Sequence, residues 1–219
     1  MLDRFHPPVE EYLETIFALE EEGIPVIQAR LAERLGKAAP SVSEMLDRLE
    51  ADGLIARSAR QIAMTDKGAA LAEGVVRKHR LAERLLVDVI GLEWEKVHRE
   101  ADRWEHAISA DVEEKLVQLL GDPATCPHGN PIPGSSHRVD APPTVPLALA
   151  APGPVRVARI SEKLELDDRA LSLLAAAGLT PGSEASVLGR GSDGTRVVAD
   201  DGERTVPDDV ARLTFVQPL

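Results

Sequence analysis

The sequence predicts a mainly α-helical protein with a small β domain at its carboxyl end. Two short helical segments around a tight turn precede two short strands, amphipathic helices follow, and the final segment alternates like a set of short strands. We therefore predict a winged helix-turn-helix at 1–70, a helical domain at 71–140, a Pro-rich linker at 141–153 and an SH3-like barrel at 154–219.

The amino-terminal segment has the pattern of a helix-turn-helix. A first helix is predicted between Pro8 and Gly23, where glycine ends the apolar periodicity. Two short helices follow at 27–35 and 40–52, and 56–65 reads as the two strands of a β-wing. Short helical pairs also occur as plain packing elements, but their combination with a wing and a capped long helix is typical of DNA-binding domains.

In such a domain the second helix of the pair enters the major groove. Small residues in its first turn favour contact with thymine methyl groups over a dense arginine readout, and nearby cations would contact phosphates. The residues predicted to contact DNA are Ala39, Pro40, Ser41, Ser43 and Glu44 on the helix, with Arg30, Lys37, Arg48 and Arg60 as cations.

The charge of the chain is strongly negative, which at first argues against nucleic acid. There are 37 acidic and 25 basic side chains, giving a net charge of −12. Between Gly23 and Gly68, however, seven basic and six acidic residues leave a local charge of +1. A DNA-binding face is therefore allowed there, and the acidic excess elsewhere suits a protein that attracts divalent cations.

The composition also predicts a cytoplasmic protein. No uncharged apolar window of about 18 residues exists, so no membrane span is predicted. The amino terminus has no apolar signal core, and the lone Cys126 excludes an internal disulfide. Cys126 lies in a Pro-rich loop beside His128.

Histidines and carboxylates recur at helical spacing in two places, which predicts metal binding. If 97–113 is helical, four residues at i, i+4, i+7 and i+8 share one face: His98, Asp102, Glu105 and His106. His79 and Glu83 form a second i, i+4 pair upstream. The alternative is a solvated charged face, but imidazoles and carboxylates in two such clusters favour a divalent metal.

The helical domain has few aromatic residues and therefore a thin core. Its apolar faces predict burial against a second copy of the chain. A twofold dimer would also place two recognition helices about one DNA turn apart. In the barrel, Glu165, Asp167 and Asp168 lie at the start of a short helix predicted at 167–177 and could reach a metal.

On these residues the chain resembles the diphtheria-toxin-repressor family of metal-dependent transcriptional repressors. The most specific stretches are RKHRLAERLL, VHREADRWEH, GNPIPG and the helix-turn-helix LAERLGKAAPSVSEMLDRLEADGLI, and the resemblance covers essentially the whole chain. It implies a homodimer that binds a palindromic operator and controls metal uptake genes. A metalloenzyme is the remote alternative, since no nucleophile motif or Gly-rich phosphate loop accompanies the clusters.

The resemblance implies two metal sites per chain. The primary ligands carried over from it are Glu11, Asp102, Glu105 and His106, with Glu14 as a possible addition. The ancillary ligands are His79, Glu83, His98 and Asp167. The family's glutamine donor is Ala170 here, and Cys126 and His128 are possible replacements.

The expected metal is Mn²⁺, two per chain, with Fe²⁺ or another divalent transition metal as the alternative. In the family's iron-responsive branch, methionine and cysteine occupy the positions of Glu11 and Asp102, so this chain is more similar to the manganese-responsive branch. Carboxylate oxygens suit hard Mn²⁺, whereas sulfur ligands favour softer metals.

Overall fold

The computed structural model describes residues 7–137, 143–199 and 202–219. The chain divides into two compact units. The first runs to Lys78 and includes Glu105–Ala107, and the second contains His79–Trp104 and Ile108–Leu219. The predicted fold class is confirmed, because helices dominate the first 120 residues and a six-stranded antiparallel sheet forms the carboxyl-terminal part.

The first unit is a winged helix-turn-helix. Its elements are α1 (Pro7–Glu21), α2 (Gln28–Leu35), α3 (Ala39–Ala51), β1 (Ile55–Ser58), β2 (Gln61–Met64) and the beginning of α4 (Asp66–Leu85). Apolar side chains at helical spacing fill its core, including Leu13, Ile16, Leu31, Leu46, Leu49 and Leu54. The two wing strands are antiparallel, with Ser58 opposite Gln61.

The helices of the second unit are shorter than the sequence predicts. After α4 comes a π-helical turn, Leu86–Ile90, then α5 (Val97–Trp104) and α6 (Ala110–Leu120). The helix that carries the candidate ligands ends at Trp104, before the shared face predicted from His98 to His106 is complete. Ser109 has extended backbone angles (φ −76°, ψ 163°) and its hydroxyl accepts a hydrogen bond from the Val112 N–H, so a new helix begins there. Glu105 and His106 therefore lie in the turn between α5 and α6.

The carboxyl-terminal sheet has the strand order β3-β8-β4-β5-β6-β7, and every neighbouring pair is antiparallel. Its strands are β3 (Val145–Pro146), β4 (Gly153–Ile160), β5 (Glu184–Arg190), β6 (Thr195–Ala199), β7 (Gly202–Val206) and β8 (Thr214–Pro218). Three short helices accompany them: α7 (Glu162–Glu165), α8 (Asp168–Ala176) and α9 (Asp208–Leu213).

The structure differs from the predicted linker at 141–153. Val145 pairs with Val216 in the sheet and Leu147 is buried in its core, because the apolar run after Pro146 supplies side chains that the small sheet can bury. Residues 141 and 142 lie outside the described residues. The predicted boundary at residue 70 falls inside α4, and the two units divide later, after Lys78.

Several large apolar side chains of the second unit are exposed in the single chain. Val112 and Leu119 are seven residues apart on α6 and so share one face, and Val89 and Ile90 are exposed in the π-helical turn. Such a set is typical of a surface that a partner covers. Within the described ranges, no helix combines the length and apolarity that crossing a membrane requires.

Candidate metal centre and DNA-binding face

A buried cluster of metal-ligating side chains lies in the second unit. In the described part of the chain, the donor atoms of two overlapping groups lie within 4.8 Å of one another. One group comprises His79, Glu83, His98 and Glu165, and the other comprises Glu83, Cys126 and His128. All six side chains are buried, which is costly for carboxylates unless positive charge accompanies them.

The cluster is closely spaced around its two carboxylates. Glu83 Oε1 lies 3.3 Å from His79 Nε2, 3.3 Å from His98 Nδ1 and 3.2 Å from His128 Nδ1. Glu165 Oε2 lies 3.0 Å from His98 Nδ1 and 3.1 Å from His128 Nδ1. Three helices (α4, α5 and α7) and the loop at 126–128 therefore contribute donors to one cluster.

The pKa values indicate how the cluster balances its charge without a metal. Burial opposes ionisation, yet His128 and His79 hold the pKa of Glu83 well below its usual value, and His128 lowers the pKa of Glu165. Burial likewise disfavours the imidazolium, but Glu165 raises the pKa of His98 to about 10 and, with Glu83, the pKa of His128 well above its usual value. Two carboxylates thus face two imidazolium ions.

The donor chemistry fits a divalent transition metal. Oε2 of Glu83 is buried and has no hydrogen-bond donor among the described residues. Buried acceptors without donors are unusual and often mark an ion site. The thiol of Cys126 is neutral without a metal, because burial raises its pKa to about 12. Without a metal, the two imidazolium protons balance the negative charge of the two carboxylates. One divalent cation would supply the same positive charge.

The structure brings together only part of the predicted ancillary set. His79, Glu83 and His98 meet, and Cys126 and His128 join them. Asp167 does not. It caps α8, where its Oδ1 accepts hydrogen bonds from the N–H groups of Arg169 (3.0 Å) and Ala170 (3.2 Å). Glu165, which ends α7, lies in the cluster at the place expected of Asp167.

A local signal in the sequence distinguishes these two carboxylates. An aspartate directly before a helical segment is a typical N-cap, so its oxygens are already engaged by backbone N–H groups. Glu165, preceded by the buried Leu164, has no such use. The N-cap pattern therefore favours Glu165 over Asp167 as the carboxylate that is free to bind a metal.

The loop that carries Cys126 and His128 is held tightly against neighbouring backbone. His128 Nε2 lies 3.3 Å from the carbonyl oxygen of Trp94, and this contact directs Nδ1 towards the carboxylates. The indole Nε1 of Trp94 donates to the Pro127 carbonyl at 3.2 Å, and the N–H of Ile160 donates to the His128 carbonyl at 2.8 Å.

Gly129 makes this close docking possible. Its φ is +85°, and a Cβ atom there would lie 2.1 Å from the carbonyl oxygen of Ala158. We expect Gly129→Ala to lower the free energy of unfolding by about 1–2 kcal/mol for the left-handed backbone and by about 1–3 kcal/mol more for the clash. Metal binding at the cluster should weaken as well. Thermal unfolding and metal titration measure both effects.

Gly121→Ala is the matched control. Gly121 has a similar φ of +73°, but none of the described atoms lies within 4 Å of the position that its Cβ would take. It should therefore show only the backbone cost and normal metal binding. Equal destabilisation by the two substitutions would contradict the docking argument.

The predicted primary ligands are distributed over both units. In the first unit, His106 Nδ1 lies 2.5 Å from Glu10 Oε2, and His106 Nε2 lies 3.2 Å from Glu105 Oε1. Glu11 instead pairs with Lys37, at 2.5 Å. The structure thus places Glu10, rather than Glu11, beside His106.

The remaining predicted ligands of this set lie elsewhere on the helices. Asp102 is in the second unit, with its Oδ1 3.4 Å from His79 Nδ1 and 3.9 Å from His98 Nε2. Glu14 is half-buried on α1.

The predicted DNA-contacting residues are largely accessible. Those that are exposed are Ala39, Pro40, Ser41, Glu44, Arg48, Arg30 and Arg60, whereas Lys37 and Ser43 are half-buried. Ala38 precedes α3 and its methyl group cannot cap the helix, so the first N–H groups of α3 are available to a phosphate. Arg57 of the wing, which is not among the predicted contacts, forms salt bridges with Asp47 (2.7 Å) and Glu50 (2.5 Å).

A winged helix-turn-helix followed by a helical domain with a buried metal-ligating cluster defines the class of metal-dependent transcriptional regulators. Residues 4–61 match the family model described as iron dependent repressor, N-terminal DNA binding domain. Residues 65–134 match the model described as iron dependent repressor, metal binding and dimerisation domain. The chain belongs to the iron-dependent repressor family, also known for the diphtheria toxin repressor.

Similar proteins extend over nearly the whole chain. The iron-dependent repressor IdeR of Mycobacterium tuberculosis is 42% identical over 222 residues, which cover 96% of each protein. The diphtheria toxin repressor of Corynebacterium diphtheriae is 41% identical over 220 residues, again 96% of each. A manganese-dependent transcriptional repressor solved in complex with manganese is 33% identical, with a TM-score of 0.85 over 96% of this chain and 100% of that one. The chain is thus a metal-dependent transcriptional repressor and not an enzyme.

Proposed function

We propose that this protein is a manganese(II)-activated repressor. The buried cluster supports metal binding most directly, because three imidazoles, two carboxylates and a thiol meet there and Glu83 Oε2 has no donor among the described residues. Carboxylates at Glu11 and Asp102, where iron-responsive members carry sulfur ligands, support Mn²⁺. The dimer binds a palindromic operator of metal uptake genes in the cytoplasm, with two Mn²⁺ per chain when active.

The ancillary site in this proposal consists of His79, Glu83, His98, Cys126, His128 and Glu165. The bound cation supplies the positive charge that the two carboxylates otherwise obtain from protons. The imidazoles then act as neutral ligands, and Glu165 of α7 links the carboxyl-terminal part of the second unit to its helical part. The proposed primary ligands remain Glu11, Asp102, Glu105 and His106. Glu10 is an added candidate because it contacts His106.

Metal dependence arises in this proposal from acidic repulsion. Glu10 and Glu105 of the first unit are like charges that both contact His106, and their repulsion is relieved when a divalent cation is present. The metal-loaded conformation is then the one that matches the operator, so metal and DNA favour each other's binding.

An Fe²⁺-dependent repressor is the second candidate. The relatives at 41–42% identity are named for iron or for diphtheria toxin. The buried cluster also contains three imidazoles and a cysteine, donors that suit Fe²⁺ better than a purely carboxylate site does.

Selection of genomic DNA fragments by the full chain tests the proposal. Under anaerobic conditions, we expect one palindromic sequence to be enriched with Mn²⁺ and not with a chelator, and its affinity to rise about 5- to 150-fold with metal. A Ser41→Glu variant, altered on the exposed first turn of α3, should lose DNA binding and keep metal binding. Equal DNA binding with chelator would contradict the proposal, and activation by Fe²⁺ but not Mn²⁺ would favour the second candidate.

A further inference from the structure

Asn130 is a buried amide that contacts a proposed metal ligand. Its side chain is only 1% exposed. Nδ2 donates to the carbonyl oxygen of Ile160 and to Oε1 of Glu165, both at 2.8 Å. Oδ1 accepts from Nη1 of Arg159 at 3.3 Å. Two acceptors on one side and a donor on the other fix which end of the amide is nitrogen.

This hydrogen bond determines which oxygen of Glu165 faces the cluster. Oε1 is engaged by Asn130, so Oε2 is the oxygen that points to His98 Nδ1 (3.0 Å) and His128 Nδ1 (3.1 Å). Because both hydrogens on Nδ2 are used, the carboxylate can rotate away only by leaving a buried donor unpaired, which is costly.

We propose that Asn130 is a positioning residue for the buried metal site. It presents Glu165 Oε2 as a ligand and, through Ile160, fixes that ligand relative to β4. The inference rests on the proposed metal site but assigns a role to a side chain that is not itself a ligand. Outer partners of this kind orient the ligand and make it a better donor.

A purely structural role for Asn130 is the alternative, and the loop has other attachments that separate the two roles. Backbone hydrogen bonds join Cys126 N to Asn130 O (2.8 Å) and Ile160 N to His128 O (2.8 Å). Arg84 Nε donates to the Thr125 carbonyl at 2.7 Å, and Arg80 donates to the Pro131 carbonyl. Removing the Asn130 amide should therefore leave the loop in place.

Titration of the full-length protein with Co²⁺ tests this role, because a Co²⁺ ion bound by the Cys126 thiolate gives a ligand-to-metal charge-transfer band. We expect Asn130→Ala to weaken Co²⁺ binding at this band about 10- to 100-fold. Ser135→Ala is the matched control: Ser135 is also buried in this loop and donates to the Asp122 carbonyl (3.3 Å), away from the cluster. Its Co²⁺ affinity should stay within about twofold of the wild type.

The outcomes separate the two proposals. If Asn130→Ala lowers the melting temperature as Ser135→Ala does but binds Co²⁺ as the wild type does, Asn130 is only structural and the inference is overturned. If the wild type shows no Cys126-dependent band, the proposed metal site and the inference both fail. Should Asn130→Ala not fold, Asn130→Asp retains the shape, lacks the donor and carries the same expectation.

Discussion

Replacing Glu165 with alanine is expected to lower the affinity of the buried cluster for Mn²⁺ by more than about 100-fold, since even an outer partner of a metal ligand is worth about 10- to 100-fold. Among the described residues, the substitution removes the only carboxylate of this cluster that comes from the segment after residue 143. It also leaves the imidazolium ions of His98 and His128 with one carboxylate fewer. Calorimetric titration with Mn²⁺ measures the affinity.

Asp167→Ala is the control for this prediction. Asp167 caps α8 and does not reach the cluster, so its removal should lower the free energy of unfolding by about 1 kcal/mol through the lost cap. Its Mn²⁺ affinity should be nearly unchanged. The reverse pattern, with Asp167→Ala losing the metal and Glu165→Ala keeping it, would show that the ligand inferred from the family position is the true one.

Metal binding at the buried cluster is expected to release about three protons per chain at pH 7, one each from His98, His128 and the Cys126 thiol. Without metal, the pKa of His98 is raised to about 10, chiefly by Glu165, which outweighs burial, and the pKa of His128 is also well above its usual value. Both imidazoles are therefore protonated at pH 7 and must lose a proton to become ligands. Metal affinity should accordingly rise with pH while both imidazoles remain protonated in the metal-free state.

Calorimetry in buffers of different ionisation enthalpy counts these protons. A His128→Gln variant should release about one proton fewer, because it lacks one of the two imidazolium ions. No net proton release by the wild type at pH 7 would contradict the charge balance inferred for the cluster.

The same pKa shifts have a defined sign for the stability of the metal-free protein. The raised pKa of His98 stabilises the fold fully below about pH 6.5, its ordinary value, and this contribution is lost as the pH rises towards 10. The lowered pKa values of Glu83 and Glu165 stabilise the fold above about pH 4.5 and this contribution is lost as the pH falls further. The cluster's contribution therefore peaks between these two limits.

Much of the fold is predictable because the sequence states it locally. Glycines and prolines mark the ends of α1 to α3. The i, i+4 spacing of His79 and Glu83 places both side chains on one face of any helix. The start of α6 is also visible in the sequence, because Ser109 is a typical N-cap residue, but the end of α5 at Trp104 has no such signal. The prolines around residue 146 similarly obscure a strand whose apolar side chains complete the sheet core.

Which carboxylates meet the histidines depends on packing. Glu10 and Glu11 are about 100° apart around α1, so the face that meets His106 is decided by how the helix packs. The positions of Asn130 and Trp94 beside ligands from distant parts of the chain are equally invisible in one sequence, since residues 30 or more apart meet only in the folded protein.

A titration of the metal-free protein with Mn²⁺, following free Mn²⁺ by its paramagnetic resonance and then adding Fe²⁺ anaerobically, tests the central claim most directly. We expect two Mn²⁺ per wild-type chain and one per Glu165→Ala chain, with Fe²⁺ unable to displace them at equal concentration. Strong displacement by Fe²⁺ would favour an iron sensor with the same ligands. No bound Mn²⁺, or two per chain in both proteins, would contradict the assignment of the buried cluster as a metal site.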